Sequence, residues 1–423
     1  MRRPICVAVL ACAVACGSAS TSKAPPAPAL DGSLVLISID GFRADYIGRP
    51  EAANLRALAG RGVRAEWMTP VFPSKTYPNH YTIVTGLWPE HHGVVANTMW
   101  DSVIGYRFEF TSPRAVADSR WWSGEPIWVT AERQGRRAAA FFWPGTEAEI
   151  GGIRPTWWRR YDASVPNAER VRQVLEWLSL PPDSAPALVT MYFRDVDWRS
   201  HEFGPDAPQT DSAIARVDRD LGALVEGIEA RGLAGRVNLV VVSDHGMTAV
   251  APERTIYLDD YLDMAAVEVI DWSPVAALAP AGTADAAELY RRLKGRHPQL
   301  TVYRREEIPE RLHYRAHPRI APVIAVANEG WSISTRVRAT IGRRERGSHG
   351  YDPTLPSMRA LFVADGPAFR DGAVVAPFGN VHVYELMSAV LGLRPAANDG
   401  SLDSVRALLS TSVSASASAN PQH

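Results

Sequence analysis

Cysteine is confined to the start of the chain, at Cys6, Cys12 and Cys16. Everything after it therefore lacks disulfides and thiolate metal ligands, and its stability must come from a hydrophobic core and from metals bound through oxygen and nitrogen. Lysine is nearly absent as well, at Lys23, Lys75 and Lys294, so arginine supplies almost all the positive charge. Net charge is also missing, because 45 basic residues stand against 46 acidic ones and leave -1. That balance excludes a general attraction to nucleic acid or to an anionic membrane and makes any phosphate binding a local matter. Past the leader, no apolar run reaches the roughly 20 residues of a membrane-spanning helix, and no internal repeat is present.

What is present begins with MRRPICVAVLACAVACGSAS, a basic start followed by a short apolar stretch and small residues, the pattern of an export signal. Ala13-Val14-Ala15-Cys16-Gly17 resembles a bacterial lipoprotein cleavage site that would leave Cys16 as the lipidated first residue. Val9-Leu10-Ala11-Cys12 offers a second such site, and an ordinary soluble signal is the alternative. The expectation is an export signal over residues 1–16, with the mature protein periplasmic or anchored in the envelope as a lipoprotein. Residues 17–32 are Pro/Ala-rich and read as a tether, and 403–423 read as a disordered low-complexity tail.

At 423 residues, one large α/β domain with an insertion fits as well as two domains. Runs rich in branched or aromatic apolar residues predict strands at 34–39, 138–142, 188–193, 237–243 and 360–364. Between them lie helical patterns, clearest at 212–230, where Ile214, Val217, Leu221, Leu224, Val225 and Ile228 recur at helical spacing and Gly232 follows as a stop. This alternation predicts a mostly parallel central sheet with helices on both faces. Residues 33–250 and 341–395 would build it. The less regular 251–340 would form an inserted, cap-like subdomain that returns the chain to the sheet.

Polar residues with metal-binding chemistry stand where the strands end. LVLISID closes on Asp40, ALVTMYFRDVD on Asp197, and VNLVVVSDHG carries Asp244 and His245; open α/β sheets bind ligands at those ends. Asp197 and His201 are four apart, which on a helical turn puts them on one side, although a surface carboxylate paired with a histidine has the same spacing. Asp244 and His245 follow a strongly apolar strand, where two such groups need hydrogen bonds, a buried ion pair or a cation. His349 lies in the glycine-flanked loop RGSHGYDP. Mixed imidazole and carboxylate ligation favours zinc over magnesium or calcium. A threonine hydroxyl such as that of Thr76 needs a base or a metal before it attacks anything. Spacing singles out no histidine partner for it, and His80, His91 and His92 read as supporting or structural.

The stretch TPVFPSKTYPNHYTIVTGLWPEHHGVVANTMWD resembles the nucleophile segment of the nucleotide pyrophosphatase/phosphodiesterase family of the alkaline phosphatase superfamily. GEPIWVTAERQG and FFWPGTE, within 124–147, add to the likeness. DVDWRSHEFGP matches the family motif D-x-x-G-H-x-x-G-P at Asp197, His201, Gly204 and Pro205, with Ser200 in place of the glycine. The resemblance covers 34 to about 392 and, with the lipoprotein-like leader, points to a bacterial member.

The resemblance implies an alkaline phosphatase-like fold with Thr76 as nucleophile and Asn97 bonding a phosphoryl oxygen. It implies two zinc ions, one on Asp197, His201 and His349, the other on Asp40, Asp244, His245 and Thr76. Two ions about 4 Å apart would hold the attacking and leaving oxygens of an in-line displacement. The expected reaction is hydrolysis of a small-molecule phosphodiester or nucleotide through a phosphothreonine, releasing a nucleoside monophosphate. Tyr77 and Tyr161, the latter in WWRRYD, would flank a nucleobase; the alternative for Tyr161 is core packing with Trp157 and Trp158. The C/S-x-P-x-R motif of a sulfatase is missing at Thr76, and no segment assigns the extra arginine of a monoesterase. A diesterase acting on lysophospholipids or glycerophosphodiesters, and a metal-holding protein that binds phosphorylated ligands without turnover, are the other readings.

Overall fold

Strands form where the apolar runs can be covered on both sides. In the strand Ser33–Ile39, Leu34 and Leu36 enter one core while Val35, Ile37 and Ile39 enter the other, the pattern of a sheet buried on two faces. The computed structural model describes residues 32–342 and 345–418. The export signal, the lipid anchor on Cys16 or Cys12 and nearly all of the tether lie outside them. Among the described residues no helix is long and apolar enough to cross a membrane.

The central sheet has eight strands, in the spatial order Ala373–Val375, Val63–Ala65, Phe362–Asp365, Val237–Val242, Ser33–Ile39, Leu188–Phe193, Ala138–Phe141 and Trp157–Arg159. Only Phe362–Asp365 runs antiparallel to its neighbours. The helix Pro208–Ala230 buries Ile214, Val217, Leu221, Leu224 and Ile228 on one face. It starts at Pro208 rather than 212 because proline fits the first turn of a helix, where the missing N–H is not needed.

Residues 251–340 contain a separate antiparallel sheet, ordered Val267–Asp271, Val275–Pro280, Val323–Ala327 and Leu300–Arg304. The helix Ala286–Leu293 closes a core of its own there, including Leu278, Leu289, Leu293 and Val323. Arginines join this unit to the main domain. Arg107 donates to the carbonyls of Val269 and Ile270, and buried Arg319 pairs with Asp101 at 2.7 Å and donates to the carbonyls of Gly93 and Trp121.

One expectation fails. The stretch from 403, read as a disordered tail, contains a turn of 3-10 helix at Arg406–Leu408 and the helix Thr411–Ser418. Val405, Leu408, Leu409 and Val413 are buried in the main core. Burial of those four apolar side chains offsets the entropy of ordering a serine- and alanine-rich segment.

The helix Ala53–Arg61 has no side-chain cap at its own N-cap residue, Ala52. Asp218 of the helix Pro208–Ala230 caps it instead, accepting the N–H groups of Asn54 at 2.9 Å and Leu55 at 2.8 Å. Asp218→Ala is expected to lower stability by about 2 kcal/mol, seen as a lower urea midpoint at unchanged slope.

Candidate active site

Three neighbouring parallel strands end level with one another. Ile39 is in register with Phe193, and Ser38 with Val242. The residues that follow therefore open onto one place: Asp40, the helix Asp195–Phe203 with Asp197 and His201, and Asp244 with His245. Gly41 permits the convergence, because it sits at φ 67° and a Cβ there would stand 2.9 Å from that of Asp197. Ser200, at the glycine position of the motif, leaves the helix Asp195–Phe203 unbroken, so Asp197 and His201 share one side of it. The Ser200 hydroxyl is buried without a hydrogen-bond partner. Thr76 opens the helix Thr76–Thr85, and His349 follows the short strand Gly347–Ser348.

The donor atoms form two overlapping groups, Asp40 with Asp244 and His245, and Asp197 with His245 and His349, each within 4.8 Å. His245 Nε2 lies 2.9 Å from Asp244 Oδ2 and 3.6 Å from Asp40 Oδ1, and its ring stacks on that of His349 with centroids 3.5 Å apart. His201 falls outside the two groups, yet its Nε2 is 3.3 Å from Asp197 Oδ1. Thr76 Oγ1 faces His245 Nε2 at 3.4 Å. Each histidine turns Nδ1 to a backbone carbonyl: His201 to Gly347 at 2.9 Å, His245 to Gly246 at 2.9 Å and His349 to Ser74 at 2.8 Å. That arrangement favours the tautomer with its proton on Nδ1 and leaves Nε2 available as a ligand atom.

Asp40 Oδ1, Asp197 Oδ1 and Asp244 Oδ2 are all buried with no hydrogen-bond donor. Three such oxygens in one recess are what a cation satisfies. The Asp40 carboxyl is pushed well above the usual carboxylate range, first by burial and then by the charges of Asp244 and Asp197. His201 rises to about 9, since burial lowers it and the adjacent Asp197 outweighs that. A dication in the recess would reverse the pressure on Asp40. The residues thus fit divalent metal in both groups.

Supporting contacts surround them. His80, read from the sequence as supporting or structural, accepts from Ser38 Oγ at 2.8 Å, bonds the Thr76 carbonyl at 2.9 Å and lies 3.3 Å from Asp244 Oδ2. His91 and His92 bond Asp399 and Thr82 and do not line the cavity at the site. Sequence reasoning missed Tyr192, whose hydroxyl donates to Asp40 Oδ2 at 2.5 Å. Its signal is a single phenol near the end of a mostly apolar strand.

A cavity of about 630 Å³ opens from Thr76 and the donor cluster and is lined by Tyr77, Asn97, Phe110, Tyr161, Arg194 and Trp198 among others. Asn97 Oδ1 accepts the Tyr77 N–H at 2.9 Å, which leaves its Nδ2 as a donor. Tyr77 stands among Phe108, Phe110 and Trp122, with centroids 5.6 to 6.0 Å away. Tyr161 does not join Trp157 and Trp158 in the core. It is 43% exposed, edge-on to Phe142 and Tyr192. Phe110 and Trp198, also missed, are half-exposed aromatics that only the folded chain brings to this wall.

Strand-end carboxylates and imidazoles beside a hydroxyl, on a mostly parallel α/β sheet, define a metal-dependent hydrolase of the alkaline phosphatase-like class. A model of the type I phosphodiesterase / nucleotide pyrophosphatase family matches residues 34–352, and the chain belongs to that family. It is a hydrolase of phosphoric diester or phosphoric anhydride bonds, which sets aside a metal-holding protein without turnover. An uncharacterized pyrophosphatase/phosphodiesterase of Schizosaccharomyces pombe is 39% identical over 383 residues, spanning 88% of this chain and 79% of the relative. A Mus musculus bis(5'-adenosyl)-triphosphatase is 39% identical over 93% of this chain and 83% of its own. Murine ectonucleotide pyrophosphatase/phosphodiesterase 5, solved as an inactive threonine-to-alanine variant with AMP, superposes with a TM-score of 0.86 at 38% identity, covering 90% of this chain and all of that one. These relatives are eukaryotic, so they lend no support to a bacterial source.

Removing divalent ions with a chelator is expected to lower the melting temperature by several degrees, reversibly on adding metal back, because a ligand held only by the folded state stabilises it. Identical melting curves with and without chelator would mean that the three orphaned carboxylate oxygens need no cation.

Proposed function

We propose that the protein cleaves phosphodiester and pyrophosphate bonds of nucleotides with two zinc ions and a covalent intermediate on Thr76, releasing a nucleoside monophosphate. The observation that carries this reading is the place of Thr76 Oγ1, on the cavity wall and 3.4 Å from His245 Nε2 at the edge of the donor recess. Asp40, Asp244, His245 and Thr76 would hold one ion, and Asp197, His201 and His349 the other. Bound there, zinc would supply Lewis-acid stabilisation of a threonine alkoxide and of charge on the phosphoryl oxygens.

Thr76 opens a ten-residue helix, so its own N–H has no carbonyl partner in that helix and is free to meet a phosphoryl oxygen. Asn97 Nδ2 supplies a second donor, its Oδ1 being fixed by Tyr77. Thr76 Oγ bonds to phosphorus as the bond to the leaving oxygen breaks and that oxygen leaves with a proton. Water then attacks the phosphothreonine, restoring the hydroxyl and freeing the monophosphate. Tyr77 and Tyr161 offer aromatic faces to a base across the cavity. The names of two relatives support a nucleotide: one is a bis(5'-adenosyl)-triphosphatase, and the other carries AMP in a threonine-to-alanine variant without activity. The leader, as an export signal, would place this activity in a bacterial envelope or periplasm.

Thr76→Ala should abolish hydrolysis of p-nitrophenyl thymidine monophosphate while zinc content stays unchanged; turnover near wild type would overturn the role of Thr76. Activity of the wild type should vanish on chelation and return with zinc. Among dinucleotides, lysophospholipids, glycerophosphocholine and a simple monoester, the dinucleotides should be cleaved fastest. Faster cleavage of either lipid-type diester would replace the nucleotide reading.

A further inference from the structure

Lys75, the residue before Thr76, is buried although lysine is scarce in this chain. Its Nζ lies 2.5 Å from Asp271 Oδ2 and donates to the Trp272 carbonyl at 3.0 Å, and Asp271 Oδ1 accepts the Trp272 N–H at 3.0 Å. Asp271 ends the strand Val267–Asp271, so the partner of Lys75 comes from the inserted sheet. Neither Lys75 nor Asp271 lines the cavity. The pair therefore does not touch substrate.

The loop before Thr76 is gripped from several sides. Asn79 Nδ2 donates to the carbonyls of Pro73 at 3.0 Å and Lys75 at 2.8 Å, and the Ser74 hydroxyl donates to the Tyr351 carbonyl at 2.9 Å. His349 Nδ1 bonds the Ser74 carbonyl. Those holds come from the main domain. The inserted unit adds an apolar edge contact, Phe72 with Tyr314 at 5.2 Å, and the ion pair. An apolar side chain at 75 would bury as much surface without desolvating two charges. What an ion pair adds is direction and a fixed length.

We infer that the Lys75–Asp271 pair is a positioning device through which the inserted subdomain sets where Thr76 presents its hydroxyl. The inference rests on the proposed attack by Thr76. Misplacing a reacting group by about 1 Å slows a reaction by roughly 100-fold, so the pair acts on kcat and not on substrate binding. A role in stability alone would instead tie activity to melting temperature.

Two variants separate these. Asp271→Asn keeps the size and loses the charge; it should lower kcat by about 10- to 100-fold with KM and zinc content unchanged. The double variant Lys75→Met/Asp271→Leu replaces the pair with apolar groups of similar volume, which restores stability where only the buried charge mattered. It should melt like wild type and stay slow. Wild-type kcat in Asp271→Asn, or kcat recovered together with melting temperature in the double variant, overturns the inference. Where Asp271→Asn does not fold, the double variant decides alone. If Thr76→Ala is inactive while both Asp271 variants run at the wild-type rate, only the positioning role falls. If Thr76→Ala turns over normally, the attack by Thr76 falls with it.

Discussion

Asp40, Asp197 and Asp244 aim their carboxylates into one recess from which water is largely excluded, and like charges brought so close repel strongly in a medium that screens them poorly. Nothing in the apolar sheet beneath relieves that repulsion. Several contacts around the recess address it. The Tyr192 hydroxyl and the Gly41 N–H each donate to one of these carboxylates, and three imidazoles turn their Nδ1 outward to keep Nε2 facing in. A divalent metal would complete the arrangement, and the same pull on oxygen that offsets the carboxylates would offset the charge of a phosphoryl group beside Thr76.

Much of this was legible in the chain. The strands were visible because sheets covered on both faces need unbroken apolar runs, and polar residues at the ends of such runs stand out; Asp40, Asp197, Asp244 and His245 were found that way. Thr76 and Asn97 came from the resemblance of their segment, since no spacing marks a threonine as a nucleophile. Tyr192 was not found, because one phenol in a strand has no periodic signature. Phe110 and Trp198 reach the cavity wall only through the fold, from segments far apart in sequence. The stretch 403–418 departs from the disordered reading because four apolar residues with partners in the main core outweigh its serine and alanine composition.

Ser200 shows how a departure from a motif can be absorbed. A glycine there would lend flexibility, yet the helix Asp195–Phe203 runs through the serine and keeps Asp197 and His201 aligned. What the substitution costs is a buried hydroxyl without a partner, of order 1–3 kcal/mol, a local penalty that leaves the donor geometry intact.

The strand Ser33–Ile39 comes first in the described chain and lies in the middle of the sheet, between Leu188–Phe193 and Val237–Val242. During synthesis its first neighbour, Leu188–Phe193, follows only after about 150 further residues, and its second, Val237–Val242, after about 200. This strongly apolar strand must therefore wait, unpaired, for strands made much later. Sheets closed by such distant partners form slowly and expose sticky segments meanwhile. The central placement that levels the three carboxylate-bearing strand ends thus leaves an apolar strand open to aggregation while the chain is being made.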